Sequence, residues 1–255
     1  MHKPIIIIGI GEMAGVFACG LLRSGYPVYP ITRTMDLDAE AAAIPEPEFV
    51  LLAVGEKDLQ PSLAQIPPQW RDKLALLQNE LLPRDWKNHP VTDPTVISVW
   101  FEKKKGQDAK VLISTPVLGP HSHAIKAALA SIDIPARVVD SAAEMQYELV
   151  RKNVYILTTN IAGLETGGSV SELWRDHETL ARAVASDVMD IQASLVNETL
   201  PRERLIEGML EAIAGDPEHQ CMGRSAPARL QRALEQADHA GLEVNTLRKI
   251  AAQKL

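Results

Sequence analysis

Two glycines and an alanine near the start of the chain carry the clearest chemical signal in the sequence. The segment PIIIIGIGEMAG, residues 4–15, places Gly9, Gly11 and Ala14 at the spacing Gly-x-Gly-x-x-Ala directly after four isoleucines. At this spacing the first glycine permits a tight turn, and the second lets backbone N–H groups approach a diphosphate. The small third residue lets a helix pack close to the preceding strand. We therefore predict a dinucleotide-binding turn here.

The helix that follows this turn supports the same prediction. Its N-terminus supplies a partial positive charge and unpaired N–H donors, which favour an anion. We include Glu12 and Met13, which open the helix, among the predicted cofactor-binding residues. The Glu12 carboxylate would repel a phosphate group unless its side chain points outward. An ordinary strand-to-helix turn without a ligand stays open as the alternative.

The residues after the second predicted strand indicate which dinucleotide is bound. A carboxylate there would accept hydrogen bonds from the ribose hydroxyls of NAD, whereas this chain has Thr32, Arg33 and Thr34. An arginine presents a planar fork that suits a 2′-phosphate, so we predict NADP as the cofactor, with NAD less favoured. Asp36 and Asp38 follow closely and would supply an NAD-type acid if the strand ran longer.

Short β-like segments alternate with helical segments through the first 140 residues. The predicted strands span residues 5–8, 28–32, 49–54 and 74–77. A helix over 13–23 follows the first strand. This alternation predicts a parallel sheet that is covered by helices on both faces. Ala53 and Val54, at the end of the third strand, complete the predicted cofactor site.

The end of this half contains a predicted hairpin, a helix and a last strand. Two β-rich runs flank a Lys-Lys-Lys-Gly turn at 103–106, whose lysines we interpret as solvated. A helix is predicted over 122–131 and a strand over 136–139. The sequence His-Ser-His at 121–123 suggests a metal site, but no carboxylate or cysteine has a suitable spacing. We therefore interpret it as the capped start of the helix and predict no metal.

From residue 141 onward the pattern becomes helical throughout. Ser141 and Glu144 have the Ser-x-x-Glu spacing of a capping box. The helix that they open carries an apolar stripe at helical spacing: Val150, Val154, Leu157, Ile161 and Leu164. Further helices are predicted near 178–196, from Pro201, between Ser225 and Gly241, and after Asn245. We predict an α/β Rossmann domain over residues 1–140 and an all-α domain, for substrate binding or dimerisation, over 141–255.

Composition and charge restrict the classes of function. The chain has 255 residues, of which 46% are hydrophobic and 23% charged, and its net charge is −7. This charge argues against general binding to nucleic acid or to an anionic membrane. No apolar stretch approaches the roughly 20 residues of a membrane span, and the N-terminus lacks a secretory signal. We expect a cytoplasmic protein with a small-molecule substrate, with Cys19 and Cys221 as buried reduced thiols and a homodimer as an open option.

Three segments resemble a known family. The segment IIIIGIGEMAGVFACGLLRSGYPVYPITR resembles the opening of the ketopantoate reductases (2-dehydropantoate 2-reductases), including an arginine 24 residues after the first glycine. RKNVYILTTNIAGL and the C-terminal LEQADHAGLEVNTLRKI resemble that family's helical domain, which is of the 6-phosphogluconate-dehydrogenase type. The opening Gly-x-Gly-x-Met-Ala is also similar to the pyrroline-5-carboxylate reductases, but the second half favours the ketopantoate reductases.

The resemblance implies hydride transfer from NADPH to a 2-keto group. Lys152 matches the family's catalytic lysine, and Asn160 matches the asparagine eight residues later. Asn79 matches the asparagine near the nicotinamide, and Ser225 aligns with the substrate-binding serine. An ammonium group compensates the negative charge that develops on the substrate oxygen, while asparagines orient the substrate and the cofactor.

Departures from the family pattern make ketopantoate itself a doubtful substrate. Ile156 occupies the position of a second asparagine, and Gly55 that of a lysine, with Lys57 nearby. Glu80 replaces the glycine after Asn79, and the segment that bears the family's catalytic glutamate is deleted. The resemblance therefore implies a reductase of a small 2-keto or imino acid. The alternative is a non-catalytic NADP-binding sensor or interaction protein.

Each candidate catalytic residue also has a structural interpretation. Lys152 lies four residues after Glu148 and could form an exposed ion pair on one helix. Asn160 could hydrogen-bond at a helix end, and Asn79 could be a turn residue. Ser225 could simply cap its helix.

Overall fold

The structure, a computed structural model, describes residues 2–255. The chain divides into two compact units, Met1–Leu149 and Val150–Leu255. The first is an α/β unit and the second is helical. The division falls inside one long helix, α6 (Ala142–Thr166).

A mostly parallel sheet forms the first unit. The strands are β1 (Ile5–Ile8), β2 (Val28–Ile31), β3 (Val50–Leu52), β4 (Leu74–Leu76), β5 (Thr95–Ile97), β6 (Phe101–Glu102), β7 (Lys110–Val111), β8 (Thr115–Leu118) and β9 (Ala136–Val138). Within the described residues, seven of them form one sheet in the order β2-β1-β3-β4-β5-β8-β9, in which only β5 and β8 pair antiparallel. The predicted parallel sheet is therefore confirmed.

The predicted hairpin lies within the segment that connects strands β5 and β8 of the main sheet. Strands β6 and β7 pair antiparallel, with Phe101 opposite Val111. The flanking strands β5 and β8 belong to the main sheet, where Val96 lies opposite Leu118. Strand β8 was not predicted, because its second residue is Pro116 and proline is unusual within a sheet.

The helices of the first unit are α1 (Glu12–Arg23), α2 (Leu37–Ala43), α3 (Leu59–Ala64), α4 (Arg84–Lys87) and α5 (Ser122–Ala130). Helices α1 and α5 were predicted, whereas α2, α3 and α4 were not. These three have only seven, six and four residues. Two turns or fewer are too short to display the 3.6-residue period on which the sequence prediction depends.

The second unit contains most of α6 together with α7 (Val170–Asp176), α8 (Glu178–Val196), α9 (Arg202–Gly215), α10 (Ala226–Ala240) and α11 (Asn245–Lys254). Helices α8, α10 and α11 pack against one another. Helix α8 has the predicted bounds. Helix α10 ends at Gly241, which adopts a left-handed φ of 66° as expected for a C-terminal glycine.

Capping side chains fix the starts of two helices. The Ser141 hydroxyl accepts a hydrogen bond from Glu144 N at 3.1 Å, as the sequence predicted, but the Glu144 carboxylate accepts from Asp140 N. A capping box that was not predicted opens α7. Ser169 Oγ accepts from Glu172 N at 3.3 Å, and Glu172 Oε2 accepts from Ser169 N at 2.8 Å.

Both cysteines are free thiols, but only one of them is buried. Cys221 is buried, which raises its pKa to about 11. Cys19 is exposed, so the prediction that it is buried was wrong. It lies on α1 between Phe17 and Gly20, outside the stripe that packs on the sheet. Among residues 2–255, none of the helices combines the length and the apolar character that crossing a bilayer requires.

Helices α1 and α5 approach each other closely at one glycine. A Cβ atom on Gly20 would overlap the carbonyl oxygen of Ala128. The Ser131 hydroxyl bridges the two helices, with Oγ 3.1 Å from Gly20 O and 2.7 Å from Ala128 O. Only a residue without a side chain permits this contact.

We expect Gly20→Ala to destabilise the protein by about 1–3 kcal/mol, because the helices must separate to admit the methyl group. Gly15→Ala on the same helix is the matched control, since a Cβ there meets no atom of the described residues within 4 Å beyond its own helix backbone and its chain neighbours. The control is expected to stabilise the protein by up to about 1 kcal/mol through helix propensity. Urea unfolding of both variants measures the difference, and equal effects would contradict the packing argument.

Candidate functional site

The candidate site in the first unit lies at the carboxyl edge of the sheet. Strand β1 has β2 on one side and β3 on the other, so the chain reverses its direction of winding at β1. Such a switch point leaves a crevice at the carboxyl ends of the strands, where α/β proteins bind ligands. Gly9 follows β1, Thr32 follows β2, and Ala53 and Val54 follow β3, so the structure brings these predicted residues to one edge.

Gly9 is held tightly between the two neighbouring strands. Its N–H donates to Ile31 O at 3.0 Å, while Ala53 N donates to Ile8 O at 2.8 Å. Gly9 has a left-handed φ of 98°, and a Cβ atom there would lie 2.6 Å from Ala53 O. Both the backbone conformation and the space therefore require glycine at this position.

The N-terminus of α1 is arranged to receive an anion. Gly11 occupies the N-cap position and, having no side chain, makes no capping hydrogen bond to the first-turn N–H groups. Among residues 2–255, no atom outside the two chain neighbours lies within 4 Å of a Cβ atom placed on Gly11. The Glu12 side chain is exposed, whereas Ala14 is buried in the core and Met13 packs against it. A phosphate group fits this arrangement of backbone donors.

Arg33 extends into solvent from the end of β2. Its side chain is 95% exposed, and Nη2 lies 4.0 Å from Asp58 Oδ2. The hydroxyl oxygens of Thr32 and Thr34, on either side of it, lie 3.2 Å apart. This cluster places one cation and two hydroxyl groups together at the edge of the sheet.

Asp36 and Asp38, the acids that an NAD-type site would use, belong to the start of α2. Asp36 Oδ1 accepts hydrogen bonds from Asp38 N at 2.9 Å and from Ala39 N at 3.2 Å, which is an N-cap. Strand β2 ends at Ile31 and does not extend to either acid. Contact between either acid and the ribose of NAD required a longer second strand, and the strand is not longer.

Asn79 lies in the turn after β4, and the next residue has an unusual backbone. Glu80 adopts a left-handed φ of 59°, a conformation that favours glycine. The turn thus keeps the shape that a glycine would give, although the sequence has a glutamate. The half-buried Asn79 side chain lies at the same carboxyl edge as Gly9 and Ala53.

Gln78 is a structural member of this edge that the sequence did not reveal. Its side chain is buried, and Nε2 donates to Leu52 O at 2.6 Å and to Val54 O at 3.3 Å. Its Oε1 atom accepts from Leu77 N at 3.2 Å. The amide therefore continues the sheet pairing beyond the end of β3. It fixes the residues on either side of Ala53, whose carbonyl group faces Gly9.

We expect Gln78→Leu to destabilise the protein by about 1–3 kcal/mol, because buried backbone groups lose their partners. Gln78→Glu is the matched control, since an ionised carboxylate cannot donate to the two carbonyl oxygens but a protonated carboxyl can donate to one. Burial raises the pKa of such a carboxyl above its unfolded value. The loss in free energy of unfolding of the glutamate variant, relative to the unaltered protein, should therefore become smaller as pH falls from 7 toward 5. Urea unfolding at several pH values measures it. A loss of stability in that variant that does not change with pH would contradict the role of the hydrogen bonds to the two carbonyl oxygens.

The remaining candidates belong to the second unit, and Lys152 is buried there. Only 4% of Lys152 is exposed, and Glu148, one turn earlier on α6, is 3% exposed. The predicted exposed ion pair between them is therefore wrong in that both side chains are buried. Glu148 Oε1 accepts a hydrogen bond from Arg137 Nη2 at 2.6 Å.

The neighbours of Lys152 on α6 are also buried polar residues with partners on other helices. Arg151 donates from Nε and Nη2 to Gly208 O at 3.1 and 2.9 Å. Asn153 Nδ2 donates to Gln192 Oε1 at 3.0 Å. Buried polar groups must be paired to be tolerated, so this stretch fixes α6 against α8 and α9.

Asn160 links three segments of the second unit. Its Nδ2 atom donates to Cys221 O at 3.0 Å, and its Oδ1 atom accepts from Arg229 Nη1 at 2.6 Å. It lies within α6, not at the helix end that the structural interpretation assumed. One turn later, a Cβ on Gly163 would lie 2.6 Å from Cys221 Cβ. The sequence did not reveal Arg229, which connects Asn160 to α10.

Ser225 occupies the N-cap position of α10, as the structural interpretation predicted, but its side chain makes no capping hydrogen bond. It is exposed, and its carbonyl oxygen accepts from Arg229 N at 2.9 Å. His121 likewise takes the N-cap position of α5 without capping it through its ring. The ring stacks on Phe49 at 5.1 Å, and burial lowers its pKa.

Comparison of the sequence with protein-family models and with curated proteins found no match. Comparison with solved structures found many similar chains. A ketopantoate reductase from Ralstonia eutropha JMP134 is 16% identical with a TM-score of 0.69, covering 98% of this chain and 96% of that one. A dimeric ketopantoate reductase from Staphylococcus aureus is 16% identical with a TM-score of 0.66, covering 98% and 96%. D-mandelate dehydrogenase in complex with NADH is 14% identical with a TM-score of 0.69, covering 98% and 97%.

These comparisons define the class of fold. The chain has a Rossmann-type α/β N-terminal part and an all-α C-terminal part, as the sequence predicted. The fold is that of the ketopantoate reductases, so the predicted resemblance to this family is confirmed at the level of the fold.

Proposed function

We propose that this protein is an NADP-dependent reductase that transfers a hydride to a small 2-keto or imino acid. The observation that carries the proposal is the uncapped N-terminus of α1 beside Gly9 and Gly11, at the switch point of the sheet. A backbone that brings bare N–H groups to this edge suits the diphosphate of a dinucleotide. The fold shared with known reductases supports the same class of activity.

The choice of NADP over NAD is supported by Arg33. Its guanidinium extends from the edge where the adenosine ribose of a dinucleotide would bind, and Thr32 and Thr34 add hydroxyl donors. Asp36 is committed to capping α2. Ala53 and Val54 would line the cofactor from β3, with Met13 and Ala14 contributing only backbone groups.

The bound nicotinamide would supply the hydride, and the residues of this chain would supply positioning and a proton. We assign Lys152 as the general acid for the oxygen or nitrogen atom that gains negative charge. Its buried position means that its charge is weakly screened by water, which strengthens this interaction. Asn79 and Asn160 would orient the reactants, and Ser225 would contact the substrate. We propose a homodimer in the cytoplasm as the working state.

A second candidate function is NADP binding without catalysis, as in a redox sensor. Asn160 favours it, because both polar atoms of its amide already bond to Cys221 and Arg229. An asparagine with these commitments retains limited capacity to orient a substrate. Ile156 also occupies the position of a second asparagine.

We expect Gly11→Asp to abolish NADPH binding without loss of stability. An aspartate is a good N-cap for α1, but its carboxylate would occupy and repel the diphosphate position. Gly11→Asn is the matched control, because it caps equally well without the charge and should weaken binding less. Calorimetric titration measures affinity, and urea unfolding measures stability. Unchanged NADPH affinity in Gly11→Asp would remove the glycine turn from its proposed role.

We expect Lys152→Met to lower turnover about 100-fold or more, because the proton donor is lost while the buried stem is retained. NADPH oxidation with a panel of 2-keto acids and cyclic imines measures turnover, and NADPH affinity should stay unchanged. Undiminished turnover in this variant would contradict the role of Lys152. Tight NADPH binding by the unaltered protein without turnover on any member of the panel would favour the sensor.

A further inference from the structure

We infer that Asp58 determines nucleotide specificity, because its carboxylate competes with a 2′-phosphate for Arg33. This inference rests on the proposed function, since it concerns the same nucleotide site. It adds a residue that opposes NADP binding and favours NAD binding. The result would be a site whose preference for NADP is weaker than Arg33 alone would give.

Asp58 reaches this position from the opposite side of β1. Arg33 follows β2, whereas Asp58 ends the short 3-10 turn Glu56–Asp58 that follows β3. The turn is fixed by a hydrogen bond from Asp58 N to Gly55 O at 3.0 Å. A Cβ atom on Gly55 would lie 3.9 Å from Asp58 Oδ2. This is an ordinary van der Waals distance, so the carboxylate lies directly beside Gly55 at the edge of the sheet.

The two charged groups are close but still accessible to a ligand. Arg33 Nη2 and Asp58 Oδ2 are 4.0 Å apart, and the side chains are 95% and 43% exposed. An exposed pair at this distance is weak, so a phosphate dianion can displace the carboxylate from the guanidinium. The carboxylate then remains close to the bound phosphate and repels it.

The same carboxylate has the opposite effect on NAD. The 2′-hydroxyl of the adenosine ribose is a hydrogen-bond donor, and carboxylates at the strand ends of Rossmann folds accept from it. Asp58 therefore weakens the binding of a 2′-phosphate and strengthens the binding of a 2′-hydroxyl. This difference in sign distinguishes a specific role from a general effect of negative charge.

The experiment is calorimetric titration of the full chain with NADPH and with NADH. We expect Asp58→Asn to tighten NADPH binding about three- to tenfold, because one repulsive charge is removed. NADH binding should weaken, because the ribose hydroxyl loses an anionic acceptor. Glu56→Gln is the matched control, because it removes the same charge from the same turn, and it should leave the ratio of the two affinities unchanged.

A second pair of variants tests whether the effect passes through Arg33. Arg33→Ala should weaken NADPH binding. Adding Asp58→Asn to Arg33→Ala should then tighten NADPH binding by a smaller factor than Asp58→Asn does in the unaltered protein, because the competition requires the guanidinium. The same tightening factor in the presence and in the absence of Arg33 would overturn the inference. So would equal tightening of both nucleotides, an unchanged NADPH affinity in Asp58→Asn, or the same change of ratio in Glu56→Gln. If the unaltered protein bound neither nucleotide, the proposed function itself would fail, and the inference with it.

Discussion

The close approach of two backbones at Gly9 determines the rest of the candidate site. Ala53 O lies so close to Gly9 that a Cβ atom on residue 9 would be only 2.6 Å from it. The absence of a side chain at Gly9 permits this approach, and the hydrogen bond from Ala53 N to Ile8 O holds the strand ends together where the chain enters α1. Gln78 holds the other side of the same strand end through Leu52 O and Val54 O. The turn is therefore shaped by backbone geometry and by one buried amide, rather than by the side chains of the turn itself.

The second unit is organised by a different constraint, namely the pairing of buried polar groups on α6. Arg151, Asn153 and Asn160 each bond to a separate segment, through Gly208, Gln192 and Cys221. A buried polar group without a partner costs about 1–3 kcal/mol, so each bond specifies which segment lies against which face of α6. Lys152 lies within this stretch and is equally buried. Its position is thus fixed by neighbours that have structural roles.

Local patterns in the sequence predicted the features that depend on nearby residues. The spacing of Gly9, Gly11 and Ala14 predicted the strand, turn and helix, and the bounds predicted for the helix near 178–196 are those of α8. The features that it did not predict depend on distant partners. Gln78 bonds to a residue 26 positions away, and Asn160 bonds to residues 61 and 69 positions away. A single sequence contains no period or spacing that records such pairs.

This difference also explains why the resemblance to reductases is stronger in the turn than in the catalytic residues. A site built from backbone N–H groups requires a conformation, which glycine and small residues provide whatever surrounds them. Glu80 shows that a turn can keep such a conformation even where the residue is neither glycine nor small, since its φ is left-handed at 59°. A catalytic site requires particular side chains, and each replacement changes the chemistry directly. At identities of 13–16% to proteins of the same fold, the glycine turn at residues 9–14 is a better guide to the class of ligand than the catalytic side chains are. The roles of Lys152 and Asn160 must therefore be tested by substitution.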